Sequence, residues 1–310
     1  MFKDFITIFG YTVQTHGVVS VIAILLAYGV ALVGMRGTVY EKHMESFIFY
    51  AVIGAIIGAR FWHVFVFQWP YFSQNPGEIL MIWKGGISIL GAIIGGLVVL
   101  IIYSYKHKLN FFEFADYLAP ALILGQAIGR AAELLAGDVF GSPTGGNFGM
   151  VYPEGTVAYS YYGSQPLWPA DIWESQGNFV IYAILVILSA RKLPKGWIFL
   201  IYFILYSFQR FMLEFLRGDS PRYFLNLTAG QWTTFWTIIA AILLGAYLLF
   251  RQKKLALNEG IMENIGNRDG KGNKGNKGNK DNKNNNDNKN NKDNKNNKGK
   301  KNNNSKKGKK

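Results

Sequence analysis

Apolar residues in this chain come in long unbroken runs rather than in alternation. A bilayer core needs about 20 mostly apolar residues in helical form. Seven stretches reach or approach that length: 18–35, 46–67, 87–104, 117–137, 177–190, 197–216 and 232–250. The pattern predicts an all-α fold, a polytopic membrane helix bundle of about seven transmembrane helices. The fifth run is short when counted from Gly177, so its helix is expected to begin a few residues earlier. The first run has no small-x-small cleavage site and further spans follow it, which reads as a membrane helix and not as a cleaved signal peptide.

Beyond about residue 250 the pattern changes. Residues 251–310 are polar, built of GNK and NNK-type units, with almost no apolar side chain after Ile265. Such a segment cannot bury enough surface to fold. The chain therefore divides into a seven-helix transmembrane domain, 1–250, and a disordered Lys/Asn/Gly-rich cytoplasmic tail, 251–310. Tail lysines near an anionic inner leaflet would each contribute about 1 kcal/mol of attraction.

Charge follows the same division. The tail holds 19 of the 33 Lys and Arg but only 6 of the 19 Asp and Glu, leaving the body nearly neutral. The basic balance thus belongs to the tail, and no nucleic-acid partner is expected. Within the body, Lys and Arg in short loops set the orientation. With the N-terminus outside, ten fall on inner segments (Arg36, Lys42, Lys106, Lys108, Arg191, Lys192, Lys195, Arg251, Lys253, Lys254) and four on outer ones (Lys3, Lys84, Arg217, Arg222). This predicts an outside N-terminus and a cytoplasmic C-terminus. The longest loop, about 138–176, has no Lys or Arg and is rich in Gly, Pro and aromatics, as suits an ordered, membrane-hugging outer loop.

The chain has no cysteine, which excludes disulfides, thiolate metal sites and a cysteine nucleophile of its own. The four histidines, His16, His43, His63 and His107, are not spaced as a metal pair. No metal and no cofactor are expected.

Three GxxxG pairs, Gly54/Gly58, Gly91/Gly95 and Gly125/Gly129, suit close helix packing in lipid. Two lead into arginines, Arg60 and Arg130. Arg60, Arg130 and Arg210 fall within predicted spans, where a mid-helix arginine costs at least about 2.5–3.5 kcal/mol on insertion scales. Glu133 and Glu214 lie there too. Arg130 with Glu133, and Arg210 with Glu214 and Arg217, have the spacing of one helix face. Three arginines against two glutamates leave an excess of positive charge. Arginine presents a planar fork of donors to phosphate, so the cluster points to a phospholipid headgroup. A buried ion-pair network that only locks helices is the alternative.

At these residues the sequence resembles the prolipoprotein diacylglyceryl transferase family, over about 8–250. The matching stretches are GARFWHV (58–64), WKGGISILGAIIGG (83–96), GRAAELLAGDVFG (129–141), SPTGGNFGMVYP (142–153), PLWPADIWES (166–175), FQRFMLEFLRGD (208–219) and GQ at 230–231. The resemblance implies an enzyme of the bacterial cell membrane acting in lipoprotein biogenesis. It would move the diacylglyceryl group of phosphatidylglycerol onto the lipobox cysteine thiol of a prolipoprotein signal peptide, releasing glycerol phosphate. It also implies site residues. Arg130, Arg210 and Glu214 would be catalytic. Arg130, Arg60, Glu133, Asp138, Gly141, Glu174 and Arg217 would bind substrate. His16, near the outer interface, is the candidate thiol base, with His63 a second candidate.

The chain departs from the family's pattern at several positions. Leu90 stands where the family has His, Glu133 where it has Asn, and His16-Gly17 where it has Tyr-Gly. The HPxQLYE segment reads WPADIWE, with Trp168, Asp171 and Trp173 substituted. Two other readings follow: a divergent paralogue of the same fold acting on another lipid or acceptor, and a non-catalytic phospholipid-binding protein.

Overall fold

The structure is a computed structural model, and it describes residues 4–8, 11–137, 139–191 and 193–275. Seven helices are long and apolar enough to cross a membrane, the number expected. In chain order they are α1 (Thr15–Met35), α2 (Glu41–Trp62, continued by a wider turn, His63–Phe67), α4 (Ile89–Lys106), α5 (Phe111–Ala136), α7 (Ala170–Ser189), α8 (Trp197–Glu214) and α9 (Ala229–Gly275). The short helices α3 (Trp69–Phe72) and α6 (Val157–Tyr162) lie in connections. The hydropathy pattern did not show a two-stranded antiparallel hairpin, β1 (Asp4–Ile8) with β2 (Tyr11–Gln14), which precedes α1.

Contacts divide the chain into Met1–Arg251 and Gln252–Lys310. The membrane-length part of α9 is Ala229–Leu255, and the helix runs on to Gly275. The tail expected to be disordered spans 251–310: α9 covers it as far as Gly275, and residues 276–310 lie outside the described residues.

α5 is the centre of the bundle and packs on α1, α7, α8 and α4. Its inner face is fully buried at Phe114, Ala115, Ala119, Ile123, Ala127 and Ala132. Small side chains there let neighbours approach, as membrane helices without a hydrophobic driving force between them require. The outward faces carry exposed Val, Ile, Leu and Phe, the surface lipid would cover. α5 also fixes the start of α8. Asp116 accepts the N–H groups of Gly196 and, at 2.8 Å, Phe199, two of the donors a helix N-terminus leaves open.

The α2–α4 contact shows why glycines recur at four-residue spacing. A Cβ on Gly58 would overlap the Gly91 carbonyl, and one on Gly95 would overlap the Gly54 carbonyl. The third pair behaves differently. Gly125 has only ordinary contact with Ala27, and Gly129 has open space beside it. The close packing expected before Arg130 is therefore absent, and that arginine is placed by ion pairs instead.

Candidate active site

Helical spacing builds the first half of the site. Arg130 and Glu133, three apart on α5, form an ion pair. Arg210 and Glu214, four apart on α8, pair with Arg210 Nη2 2.7 Å from Glu214 Oε2. The residue that joins them comes from α7. Glu174 Oε1 lies 2.9 Å from Arg130 Nε, and Glu174 Oε2 accepts a 2.8 Å hydrogen bond from Arg210 Nη1. One carboxylate group thus holds both arginines.

Glu174 and Glu214 lie deeper than the arginines they pair with, and Glu133 does not. Glu174 and Glu214 are each 1% exposed, whereas the Arg130 side chain is 22% and the Glu133 side chain 29% exposed. Gln209 donates at 2.9 Å to the Glu174 backbone carbonyl and at 3.2 Å to Asn178 Oδ1, which ties α8 to α7 beside the pair.

Glu214 has a second support. Thr228 Oγ1 donates to Glu214 Oε1 at 2.7 Å. Thr228 and Gln231 form a reciprocal capping box: the Gln231 N–H donates to Thr228 Oγ1 at 3.1 Å, and the Thr228 N–H donates to Gln231 Oε1 at 3.0 Å. A Cβ on Gly230 would overlap the Glu214 carboxylate, so glycine there lets the acid sit over the start of α9, where the helix dipole favours negative charge.

Arg217 closes the cluster just past α8. It pairs with Asp219 through Nε at 2.9 Å and also through Nη2, and its Nη1 lies 4.0 Å from Asp171 Oδ1 on α7. Burial alone would lower the Arg217 pKa; the hydrogen bond and charge of Asp219, followed by the charges of Asp171 and Glu214, outweigh this and raise it. The nearby Tyr152 phenol is pushed up by burial, then by the negative charge of Asp171 and Asp219, so it stays protonated.

Backbone contacts hold the long loop over this end of the bundle. Gly141 pairs with Arg217 as an antiparallel bridge, and the Ser142 N–H donates to the Leu216 carbonyl at 2.7 Å. A Cβ on Gly141 would strike the Trp168 carbonyl, so its place in the site is one of close backbone approach. A small core of Phe140, Tyr152, Ala158 and Leu167 keeps the loop ordered.

Two expected residues stand apart, and a third is not described. Arg60 is buried, but its donors go to backbone carbonyls: Ile79 (2.8 Å), Gly85 (2.7 Å), Gly86 (2.8 Å) and Glu78 (2.7 Å). Its guanidinium lies 5.0 Å over the Phe72 ring. It holds the 78–86 segment in place and, among the described residues, shares no partner with Arg130 or Arg210. His16 is the second residue of α1, with Nδ1 buried and no contact with the arginine cluster among the described residues. Asp138 lies outside the described residues.

The charge count changes as a result. Among the described residues, Arg130, Arg210 and Arg217 face Glu133, Asp171, Glu174, Glu214 and Asp219. The expected excess of positive charge is not there. Sequence counting grouped Arg60 with the other arginines and left out the acids that α7 and the post-α8 turn bring in.

The model of the family described as prolipoprotein diacylglyceryl transferase matches residues 3–247. The chain belongs to that family. It is 32% identical over 259 residues to the phosphatidylglycerol–prolipoprotein diacylglyceryl transferase of Staphylococcus aureus, covering 82% of this chain and 90% of that one. The protein of the same name from Halalkalibacterium halodurans is 30% identical over 248 residues, 79% of this chain and 86% of that one. That of Acaryochloris marina reaches 42% over 171 residues, 54% of this chain and 62% of that one. Prolipoprotein diacylglyceryl transferase membership makes the chain a multi-pass membrane transferase of lipoprotein biogenesis.

Sequence reasoning missed Thr228, Asp219 and Tyr152, and saw Asp171 only as a substitution. The Thr-x-x-Gln spacing at 228–231 was a readable capping signal for Thr228. Asp219 joins through a local pair with Arg217 in the turn after α8, and Tyr152 and Asp171 meet the cluster through tertiary contact.

Proposed function

We propose that the chain transfers the diacylglyceryl group of phosphatidylglycerol to the lipobox cysteine of prolipoproteins at the Arg130–Glu174–Arg210 cluster. The observation that carries this reading is the shared carboxylate: Glu174 holds two guanidiniums side by side, with Glu174 and Glu214 at the back and Arg130 toward the open side. Two adjacent guanidiniums match the oxygens of a phosphodiester. Because Glu133 occupies Arg130 from the more exposed side, the headgroup phosphate takes the place Glu133 now fills.

The thiolate attacks the carbon of the diacylglycerol moiety that carries the phosphate. The carbon–oxygen bond breaks, and glycerol phosphate leaves with the electron pair. Arg130 and Arg210 stabilise the charge growing on the departing phosphate. A thiol of pKa about 8.5 beside guanidiniums needs little further help to ionise. Glu214, fixed by Thr228, orients Arg210. Arg60 shapes the 78–86 segment.

The proposed topology puts the N-terminus outside and the C-terminus inside. Successive spans alternate in direction. His16 on α1, Arg60 on α2, Arg130 on α5, Glu174 on α7 and Arg210 on α8 then all fall at the outer end.

Complementation tests the reading. Cells depleted of their own diacylglyceryl transferase should regain lipidated precursor and growth with this chain, and lose both with Arg130→Ala. Failure of the unaltered chain to rescue, with phosphatidylglycerol still bound to the purified protein, would contradict transfer.

A further inference from the structure

Among the described residues, Asp171 is the one buried acid of the cluster that no cation closely engages. It is 2% exposed, and neither carboxylate oxygen has a hydrogen-bond partner among the described residues. Other buried acid oxygens without a well-aligned hydrogen bond, Glu174 Oε1 and Glu214 Oε2, have a guanidinium nitrogen at 2.9 Å and 2.7 Å. For Asp171 the guanidinium is 4.0 Å away, at Arg217 Nη1, and that donor is itself buried without a hydrogen bond. Arg217 is kept from closing the gap by Asp219, which engages its Nε and Nη2, and by the Gly141 bridge to its backbone. A buried polar group left open normally costs about 1–3 kcal/mol, more when charged, so an arrangement that holds two complementary ones apart calls for an occupant.

The chemistry of the gap defines that occupant. Two carboxylate oxygens accept two hydrogen bonds, and one guanidinium N–H offers one. A hydroxyl both donates and accepts. Adjacent hydroxyls can each donate a hydrogen bond to one Asp171 oxygen while one of them accepts from Arg217. An ammonium group would satisfy the acid but not the arginine, and a bare alkyl group would satisfy neither. We propose that Asp171 and Arg217 form a subsite for a vicinal diol, the glycerol end of the phospholipid headgroup, and so select the lipid by its headgroup hydroxyls. This rests on the transfer reading above and extends it from the phosphate to the remainder of the leaving group.

The test compares phosphatidylglycerol with phosphatidylmethanol, which has the same phosphodiester and no diol. Purified protein in nanodiscs is assayed for transfer to a lipobox peptide, and for equilibrium binding of each lipid. The unaltered protein should favour phosphatidylglycerol in KM and in binding by about tenfold or more, as two hydrogen bonds to a charged acceptor provide. Asp171→Asn should reduce that ratio to about threefold or less, since the amide offers one acceptor in place of two. Asp171→Glu, which keeps the charge but moves it by a methylene, should reduce it as well and serves if the Asn variant does not fold. A ratio unchanged in the variant that folds would overturn the proposal. So would an equal fall in kcat on both lipids with loss of a limb of the pH profile, which would mark a proton acceptor. If the unaltered protein transfers neither lipid yet still binds phosphatidylglycerol in preference, the subsite stands and the transfer reading fails.

Discussion

Glu174 is a single carboxylate with two guanidiniums to satisfy, and at 1% exposure it has no water to fall back on. Removing one member of a buried ion pair leaves the other unpaired, at a cost of about 3–5 kcal/mol. Glu174→Gln should therefore lower the thermal unfolding midpoint of the detergent-solubilised protein well beyond what Glu133→Gln does, since Glu133 is partly exposed. Equal midpoints for the two would contradict the central place given to Glu174. Glu133→Asn acts in the opposite direction on substrate. It vacates the side of Arg130 proposed for the phosphate, and should lower KM for phosphatidylglycerol by about two- to fivefold, the worth of a partly exposed pair of up to about 1 kcal/mol. A raised KM would show that Glu133 helps to hold the lipid. Arg130, Arg210 and Glu214 were legible because residues three and four apart on a helix must meet. Asp219 was not, because it pairs with Arg217 in the turn after α8 and not along a helix face, and the unpaired state of Asp171 was not, because it depends on how α7 meets that turn.

At the scale of elements, hydropathy located all seven spans because a backbone in lipid must satisfy its own hydrogen bonds, which helices do. The apolar run of α7 begins only at Gly177, and the helix begins earlier, as the shortness of that run required, at Ala170. Residues Ala170–Gly177 carry Asp171, Glu174 and Ser175, and these polar side chains are buried against neighbouring helices rather than exposed to lipid. The glycine pairs were half legible. Spacing shows which faces could come close, but not which do, and only the α2–α4 pairs are in backbone contact. A matched comparison follows. Gly95→Val forces a side chain into the Gly54 carbonyl and should destabilise the α2–α4 contact, seen as a lower unfolding midpoint and faster proteolysis. Gly96→Val next to it meets nothing within 4 Å and should be tolerated. Similar behaviour of the two would show that the contact contributes little.

For the whole molecule, the absence of native cysteine offers a clean background for mapping the proposed topology. Asn147→Cys in the long loop should react with a membrane-impermeant thiol reagent in intact cells, and Lys106→Cys at the end of α4 only after the membrane is opened. The reverse pattern would invert the bundle. The tail supplies nearly all the net charge, and the proposed transferase domain ends near Arg251. Deleting residues 260–310 should leave transfer within about twofold, as expected of a segment unable to form a core. The central claim is transfer from a lipid held by Arg130 and Arg210. Its most direct test is mass spectrometry of a lipobox peptide incubated with the purified protein and phosphatidylglycerol. The expected result is a thioether-linked diacylglyceryl peptide with glycerol phosphate released in equal amount, both abolished by Arg210→Ala. Phosphatidylglycerol bound but unconsumed, with the peptide thiol unchanged, would contradict it.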